Sequence, residues 1–208
     1  MTVVSIKKDK KHLMRIDCDN GNTFYIDSDL LNETSLGVGS CLDSSYVEEL
    51  LKESDYYRAK SRAFWYLDRM DHTEKALYDK LVKAGFSKES SARVIERFCE
   101  LDLLDDVKFA TRYSERLSEA NVSSREIYMK LITKGVPKCI AKDTVDALEV
   151  DEYAQIRAVI DKKYKNKLDD KQNVQKVFSA LARKGFSFSA VRDVLKAYCE
   201  ELQYISEE

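Results

Sequence analysis

A single proline, Pro137, stands in a chain of 208 residues, and glycine occurs only six times. Composition of that kind excludes collagen-like and low-complexity chains. With 44% hydrophobic and 35% charged residues it describes a globular, helix-rich protein. No apolar run approaches the roughly 20 residues that a membrane helix needs. The N-terminus has no apolar signal segment, so the expected location is the cytoplasm. Only two histidines are present, His12 and His72, without ligand-like spacing, so no metal site is expected. The five cysteines include no Cys-x-x-Cys and read as small buried helix residues in a reducing compartment. There is no Gly-x-x-x-x-Gly-Lys phosphate loop, no Gly-x-Ser-x-Gly elbow and no His-Glu-x-x-His. No enzyme is expected, and no cofactor.

What the chain does have is a period of fifty residues. Leu81-Val82-Lys83-Ala84-Gly85-Phe86 returns as Leu131-Ile132-Thr133-Lys134-Gly135-Val136 and as Leu181-Ala182-Arg183-Lys184-Gly185-Phe186. Such a period is the mark of a repeat array. Thr73, Ser123 and Asn173 stand where a helix N-cap is needed, since each can accept a hydrogen bond from a free N–H of the first turn. Leu77, Ile127 and Val177, then Leu81, Leu131 and Leu181, supply the apolar face that follows. Gly85, Gly135 and Gly185 fall just past the helix end, where a left-handed backbone is easy for glycine. A further helix opens at Ser87, Pro137 or Ser187.

The unit is therefore three short helices used three times. The expected fold is mainly α: three tandem three-helix repeats forming an elongated, curved array behind a small β-rich module. The expected limits are 1–54 for the module with one short helix, then 55–104, 105–150 and 151–208 for the repeats and an acidic tail. Neighbouring repeats are expected to complete one another's core. Helix one of the first repeat is expected over about 56–70, with Ala59, Ala63, Phe64 and Leu67 inward. Polar loops are expected at 118–122 and from Asn166 to Gln172. In the module, Val3–Ile6 reads as a short strand. Leu13–Cys18 and Thr23–Ile26 flank Asp19-Asn20-Gly21-Asn22, a type I′ hairpin signal.

The net charge of −2 hides a segregation. Residues 1–56 carry six basic and eleven acidic side chains, 57–199 carry 29 and 22, and the last nine residues add four acidic ones. The array is mildly basic between acidic ends, which allows weak direct contact with DNA. Candidate contacts are Arg58, Arg62, Trp65, Arg69, Arg93, Arg97, Arg112, Arg116, Arg183 and Lys184. Lys162, Lys163, Lys165 and Lys167 read instead as a solvated helix end. Asp105-Asp106 reads as a helix cap and not as an acid–base pair.

Arg62-Ala63-Phe64-Trp65-Tyr66-Leu67-Asp68-Arg69-Met70-Asp71-His72-Thr73-Glu74, with Leu77 and the Leu81–Phe86 block, resembles the opening of the RecX family. Leu103-Leu104-Asp105-Asp106 with Phe109-Ala110 and Tyr113 resembles that family's most recognisable block. The resemblance covers about 57–200, and the β-rich module is similar to the leader of longer members. His72-Thr73 stands for a His-Ser pair, and is expected to orient the turn. Glu119-Ala120-Asn121-Val122 departs by lacking a glycine at the helix break. The resemblance implies a monomeric regulator that binds the RecA filament on single-stranded DNA and inhibits its ATP hydrolysis, extension and strand exchange. The residues alone leave open a helix-turn-helix DNA-binding regulator or an interaction scaffold without DNA.

If the register is right, Leu131 is core. Leu131→Ala should then cost roughly 2–5 kcal/mol in chemical denaturation, and a change within error would show the register to be wrong.

Overall fold

The computed structural model describes residues 1–165, 168 and 171–206. The expected loop from Asn166 to Gln172, Lys167 and the tail acids Glu207 and Glu208 thus lie partly or wholly outside the described residues. The chain forms two compact units, Met1–Asp105 and Asp106–Glu208.

The first unit opens with a three-stranded antiparallel sheet, β1 (Val3–Lys10), β2 (Leu13–Cys18) and β3 (Thr23–Asp27), in that order. Val3, Ile16, Phe24 and Ile26 point into one buried cluster with Leu30, Leu42 and Leu50. The β2–β3 loop has positive φ only at Gly21, and Gly21 N–H donates to the Cys18 carbonyl at 3.1 Å. Four loop residues allow a turn with one left-handed position, so the expected I′ geometry is not adopted. β1 also runs twice as far as the apolar Val3–Ile6 stretch, through Lys7–Lys10, because β2 pairs with it along its length. Asp17 ties all three strands: it accepts from Arg15 Nε at 2.8 Å, Ser5 Oγ at 2.9 Å and Thr23 Oγ1 at 2.9 Å.

A short helix, α1 (Ser28–Glu33), follows. Next comes α2 (Ser44–Leu67), 24 residues without a break. The expected short helix of the module and the expected helix over 56–70 are therefore one, ending at Leu67. Lys52-Glu53-Ser54-Asp55 contains no breaker, and Ser54 is buried with its Oγ accepting from Asp27 N–H at 2.8 Å. One helix thus caps the sheet and opens the first three-helix group, and no loop marks residues 54–55. α3 (Glu74–Lys83) and α4 (Lys88–Glu100) complete the group around Ala59, Ala63, Leu77, Leu81, Val94 and Phe98. Phe64 is not inside; it is 44% exposed, with one side against Phe98 at 4.7 Å.

The second unit holds α5 (Asp106–Glu119), α6 (Ser124–Lys134) and α7 (Lys138–Asp146), then α8 (Glu152–Lys163), α9 (Lys171–Arg183) and α10 (Phe188–Ser206). Each group of three has its own buried cluster, Ile127 and Leu131 in one, Ile156, Ile160 and Leu181 in the other. The expected shared core is thus replaced by separate ones. What joins them is polar: Ser123 Oγ donates to the Lys184 carbonyl at 2.5 Å, and buried Gln155 donates from Nε2 to the Ser118 carbonyl at 3.2 Å.

Thr73 and Ser123 do cap, accepting from Ala76 N–H at 3.1 Å and Glu126 N–H at 3.3 Å. Asn173 does not: α9 has already started at Lys171, since Lys171 and Gln172 are both good helix formers. At the three glycines φ is 96°, 93° and 93°, and Phe86, Val136 and Phe186 each donate N–H to the leucine carbonyl five residues back. The same bond closes α4 and α5, where Asp102 (φ 55°) and Asn121 (φ 56°) take the glycine's part. That accounts for the missing glycine at 119–122. All five cysteines are free thiols. Only Cys18 is buried, and on a strand, while Cys41 and Cys139 are exposed, so the buried-helix expectation fails for most of them.

Gly85 and Gly185 differ in their surroundings. A Cβ at Gly85 would meet nothing within 4 Å, whereas one at Gly185 would lie 2.8 Å from Ser123 Oγ and 3.0 Å from Arg125 Cβ. Gly85→Ala should therefore cost only the left-handed strain, about 1–2 kcal/mol. Gly185→Ala should cost roughly 1–3 kcal/mol more, through overpacking. Urea denaturation of both variants checks this, and equal losses would refute it.

The Asp17 carboxyl is held down at about 2, against an ordinary 3.8, chiefly by the Arg15 hydrogen bond and then by Ser5 and Thr23. A carboxyl lowered on folding stabilises the fold above its unfolded value and loses that contribution as pH falls. Melting of the wild-type sheet should weaken between about pH 4 and about pH 2, and Asp17→Asn should flatten that part of the profile.

Candidate interaction surface

Arg58, Arg62, Trp65 and Arg69 follow one another by four, three and four positions, which puts the first three on one face of α2 and Arg69 in line with them in the turn just past its end. The inward face of α2 is set by Ala59 and Ala63, fully buried. That leaves the four on the outside, where all are exposed. Trp65 keeps 44% of its surface open. The Arg69 guanidinium lies 3.5 Å from its ring centre and donates to the Trp65 carbonyl at 2.9 Å, while Arg62 lies 5.4 Å from the ring. Arg58 stands 5.9 Å from the Phe86 ring. Among the described residues, none of these three arginines pairs with a carboxylate. Their charge is left to solvent or to a partner, and the rings hold the guanidiniums in place. A shallow groove of about 550 Å³ adjoins the stripe, lined by Phe64, Trp65, Leu67, Asp68, Asp71 and Leu103.

The other candidates are less free. Arg93 forms a two-pronged ion pair with Glu53, at 2.9 and 3.1 Å, and lies 4.4 Å from the Tyr56 ring. The Glu53 hydrogen bond raises the Arg93 pKa, as a committed pair would. Arg97 pairs with Glu100 at 2.7 Å. In the second unit Arg112 donates to the Lys108 carbonyl at 3.4 Å, Arg116 lies over Tyr113 at 5.2 Å, and Arg183 donates to the Ser179 carbonyl at 3.3 Å. Lys184 is half-buried, and its carbonyl accepts from Ser123.

The motif residues behave as structure. His72 is buried, with Nε2 3.4 Å from Lys80 Nζ and its ring edge-on to Tyr66 at 6.2 Å. Asp105 directly precedes α5, and Asp106, its first residue, is buried. Phe109 and Tyr113 stack at 5.7 Å and are half-buried. No group of three or more possible metal ligands occurs among the described residues, and no described helix is long and apolar enough to cross a membrane. Of the ten basic and aromatic candidates, Arg58, Arg62, Trp65 and Arg69 share the first helix or its end, and their four-three-four spacing could be counted in the sequence.

Three groups of three helices behind a small antiparallel sheet define a mainly α protein built of repeated three-helix domains. The comparisons name its kind. Residues 59–98 match the description "RecX, first three-helix domain", and residues 149–195 match "RecX, third three-helix domain". The chain is 30% identical over 202 residues to the regulatory protein RecX of Clostridium perfringens, covering 93% of this chain and 94% of that one. It is 28% identical over 209 residues to the RecX of Clostridium acetobutylicum, covering 97% of each. The chain belongs to the RecX family of regulatory proteins. Its fold is similar to a crystal structure of regulatory protein RecX, with TM-score 0.70 at 22% identity over 93% of this chain and 98% of that one. RecX from Lactobacillus salivarius aligns with TM-score 0.62 at 22% identity, over 69% of this chain and 96% of that one.

Proposed function

We propose that this chain binds the RecA filament on single-stranded DNA and restrains RecA's ATP hydrolysis, filament extension and strand exchange. Membership of a family of regulatory proteins supports a regulatory role. The observation that carries the contact is the Arg58–Arg62–Trp65–Arg69 surface, with two guanidiniums against a half-open indole and a third against Phe86, none of them paired with a carboxylate among the described residues. A nucleoprotein filament offers phosphates and carboxylates, and the planar guanidinium forks to both. Trp65 adds a rigid apolar plate whose fixing costs little side-chain entropy. The protein acts by occupying a surface and carries out no chemistry of its own. It works as a monomer in the cytoplasm, with Arg112, Arg116, Arg183 and Lys184 adding contacts from the second unit. The groove between α3 and α4, edged by Glu74, Glu96 and Glu100 against Lys75, has the wrong sign for an anionic partner.

A helix-turn-helix reading fares worse. It needs a recognition helix with free side chains at base edges. On α4, however, Arg93 is held by Glu53 and Arg97 by Glu100.

RecA-dependent ATP hydrolysis on single-stranded DNA, with the protein titrated to equimolar, tests the reading. Wild type should inhibit. Arg62→Glu with Arg69→Glu should raise the half-inhibitory concentration about tenfold, equivalent to ~1.4 kcal/mol, with an unchanged circular dichroism melt. Full inhibition by the double variant would show the two arginines to be merely solvated. No inhibition by wild type would end the RecA reading itself.

A further inference from the structure

The N-terminal module is acidic overall, yet its charges are sorted. Residues 7–15 carry five basic side chains, Lys7, Lys8, Lys10, Lys11 and Arg15, and one acidic, Asp9. The rest of 1–56 carries one basic and ten acidic. The fold gathers the five on one hairpin: β1 ends at Lys10, Lys11-His12 make the turn, and β2 starts at Leu13. All four lysines are exposed. Among the described residues none of the four makes an ion pair. Arg15 alone has a carboxylate, Asp17 at 2.8 Å.

Two features of the pairing make this arrangement costly within the hairpin itself. Lys7 stands directly opposite Arg15, and like charges facing across a ladder destabilise it. The register then shifts between Lys8 and Lys10, so that Asp9 is the extra residue of a bulge. A bulge bends and twists the ribbon where the lysines are densest. Among the described residues, the outer edge of β1 pairs with another segment only near Val3, through Gly39, Ser40 and a bridge from Thr2 to Cys41. Beyond Val3 the ribbon projects its lysines into solvent.

We propose that the β1–β2 hairpin is a nucleic-acid contact in its own right, with Lys7, Lys8, Lys10 and Lys11 on the phosphate backbone. Lysine on a flexible stem is a point charge that follows a backbone without demanding fixed geometry. Protein interfaces are depleted in lysine and built around buried aromatic or apolar anchors. Here the large exposed apolar side chains of the sheet are Val4 and Tyr25, neither of them buried as an anchor, and Tyr25 stands across from Arg15, where its ring could meet a base. The site is separate from the α2 stripe and does not rest on the RecA reading.

The test uses the full chain and no RecA. Fluorescence anisotropy of a labelled single-stranded oligonucleotide, and of its duplex, is read from low to moderate salt. Changing Lys7, Lys8, Lys10 and Lys11 together to Gln should weaken binding at least about tenfold. It should also reduce the slope of log affinity against log salt by up to about 2.8 on the single strand, at ~0.7 for each phosphate contact. Changing the same four to Arg should keep both near wild type, which separates lost charge from lost folding. Affinity and slope unchanged in the Gln variant would overturn the proposal. So would aggregation of that variant with DNA binding intact, the result expected if the lysines only guard an edge strand. Loss of binding to anionic phospholipid vesicles with DNA binding unaffected would assign the hairpin to a membrane surface and overturn it equally.

Discussion

Each helical group turns on one hydrogen bond. At the end of α3, α6 and α9 an N–H donates to the leucine carbonyl five residues back. That bond forms only if the residue in between takes positive φ. It satisfies a carbonyl that the helix would leave open, and it reverses the chain sharply enough for the next helix to return over the same leucine. Leu81, Leu131 and Leu181 are all fully buried, so each leucine anchors both the core and the turn. Asp102 and Asn121 repeat the device without glycine, which shows that the constraint is the backbone conformation and not the residue type. Where a neighbour crowds the turn, as Ser123 and Arg125 crowd Gly185, glycine is required twice over.

The polar joints of the second unit follow from the same geometry. Ser123 caps α6 and also donates to the Lys184 carbonyl, a group exposed by the turn at Gly185. One hydroxyl thereby serves the helix it starts and the group beside it. Because the groups keep separate cores, these joints add specificity of placement more than burial. Hydrogen bonds of this kind contribute only about 0.5–1.5 kcal/mol net, yet leaving their buried groups unpaired would cost more.

What could be read from the residues was what is decided locally. Caps at Thr73 and Ser123, stops at the three glycines and the buried leucines all depend on neighbours within a turn or two. The failures share a cause in long-range contact. α2 runs through residues 54 and 55 because Ser54 is fixed beneath the sheet by Asp27, a partner 27 positions away. The Lys-rich half of β1 has no apolar alternation to announce it, and becomes a strand only by pairing with β2. Phe64 carries the look of a core residue but faces outward, because Ala59 and Ala63 bring the helices too close to admit it. The ten candidate contacts were indistinguishable by type. Carboxylates distant in sequence, such as Glu53 for Arg93, decide which of them stay free.

That last distinction bears on how a repeated scaffold can carry an unrepeated function. Residues held to the fifty-residue register are occupied: they cap, turn or fill a core, and any change there is felt as stability. The α2 face and the β1–β2 hairpin lie outside that duty. Trp65 is the only tryptophan in the chain, and Lys7–Lys11 lies in the module that precedes the helical groups. Among the described residues, both surfaces carry positive charge that no carboxylate neutralises, except Arg15 by Asp17. The four lysines gain no ion pair among the described residues, and the Lys7–Arg15 pair works against its own ladder. A fold that answers Arg93 with Glu53 and Arg97 with Glu100 has the means to pair its cations locally. Where it leaves them unpaired on one helix face and one ribbon, the complementary charge is best sought on a partner.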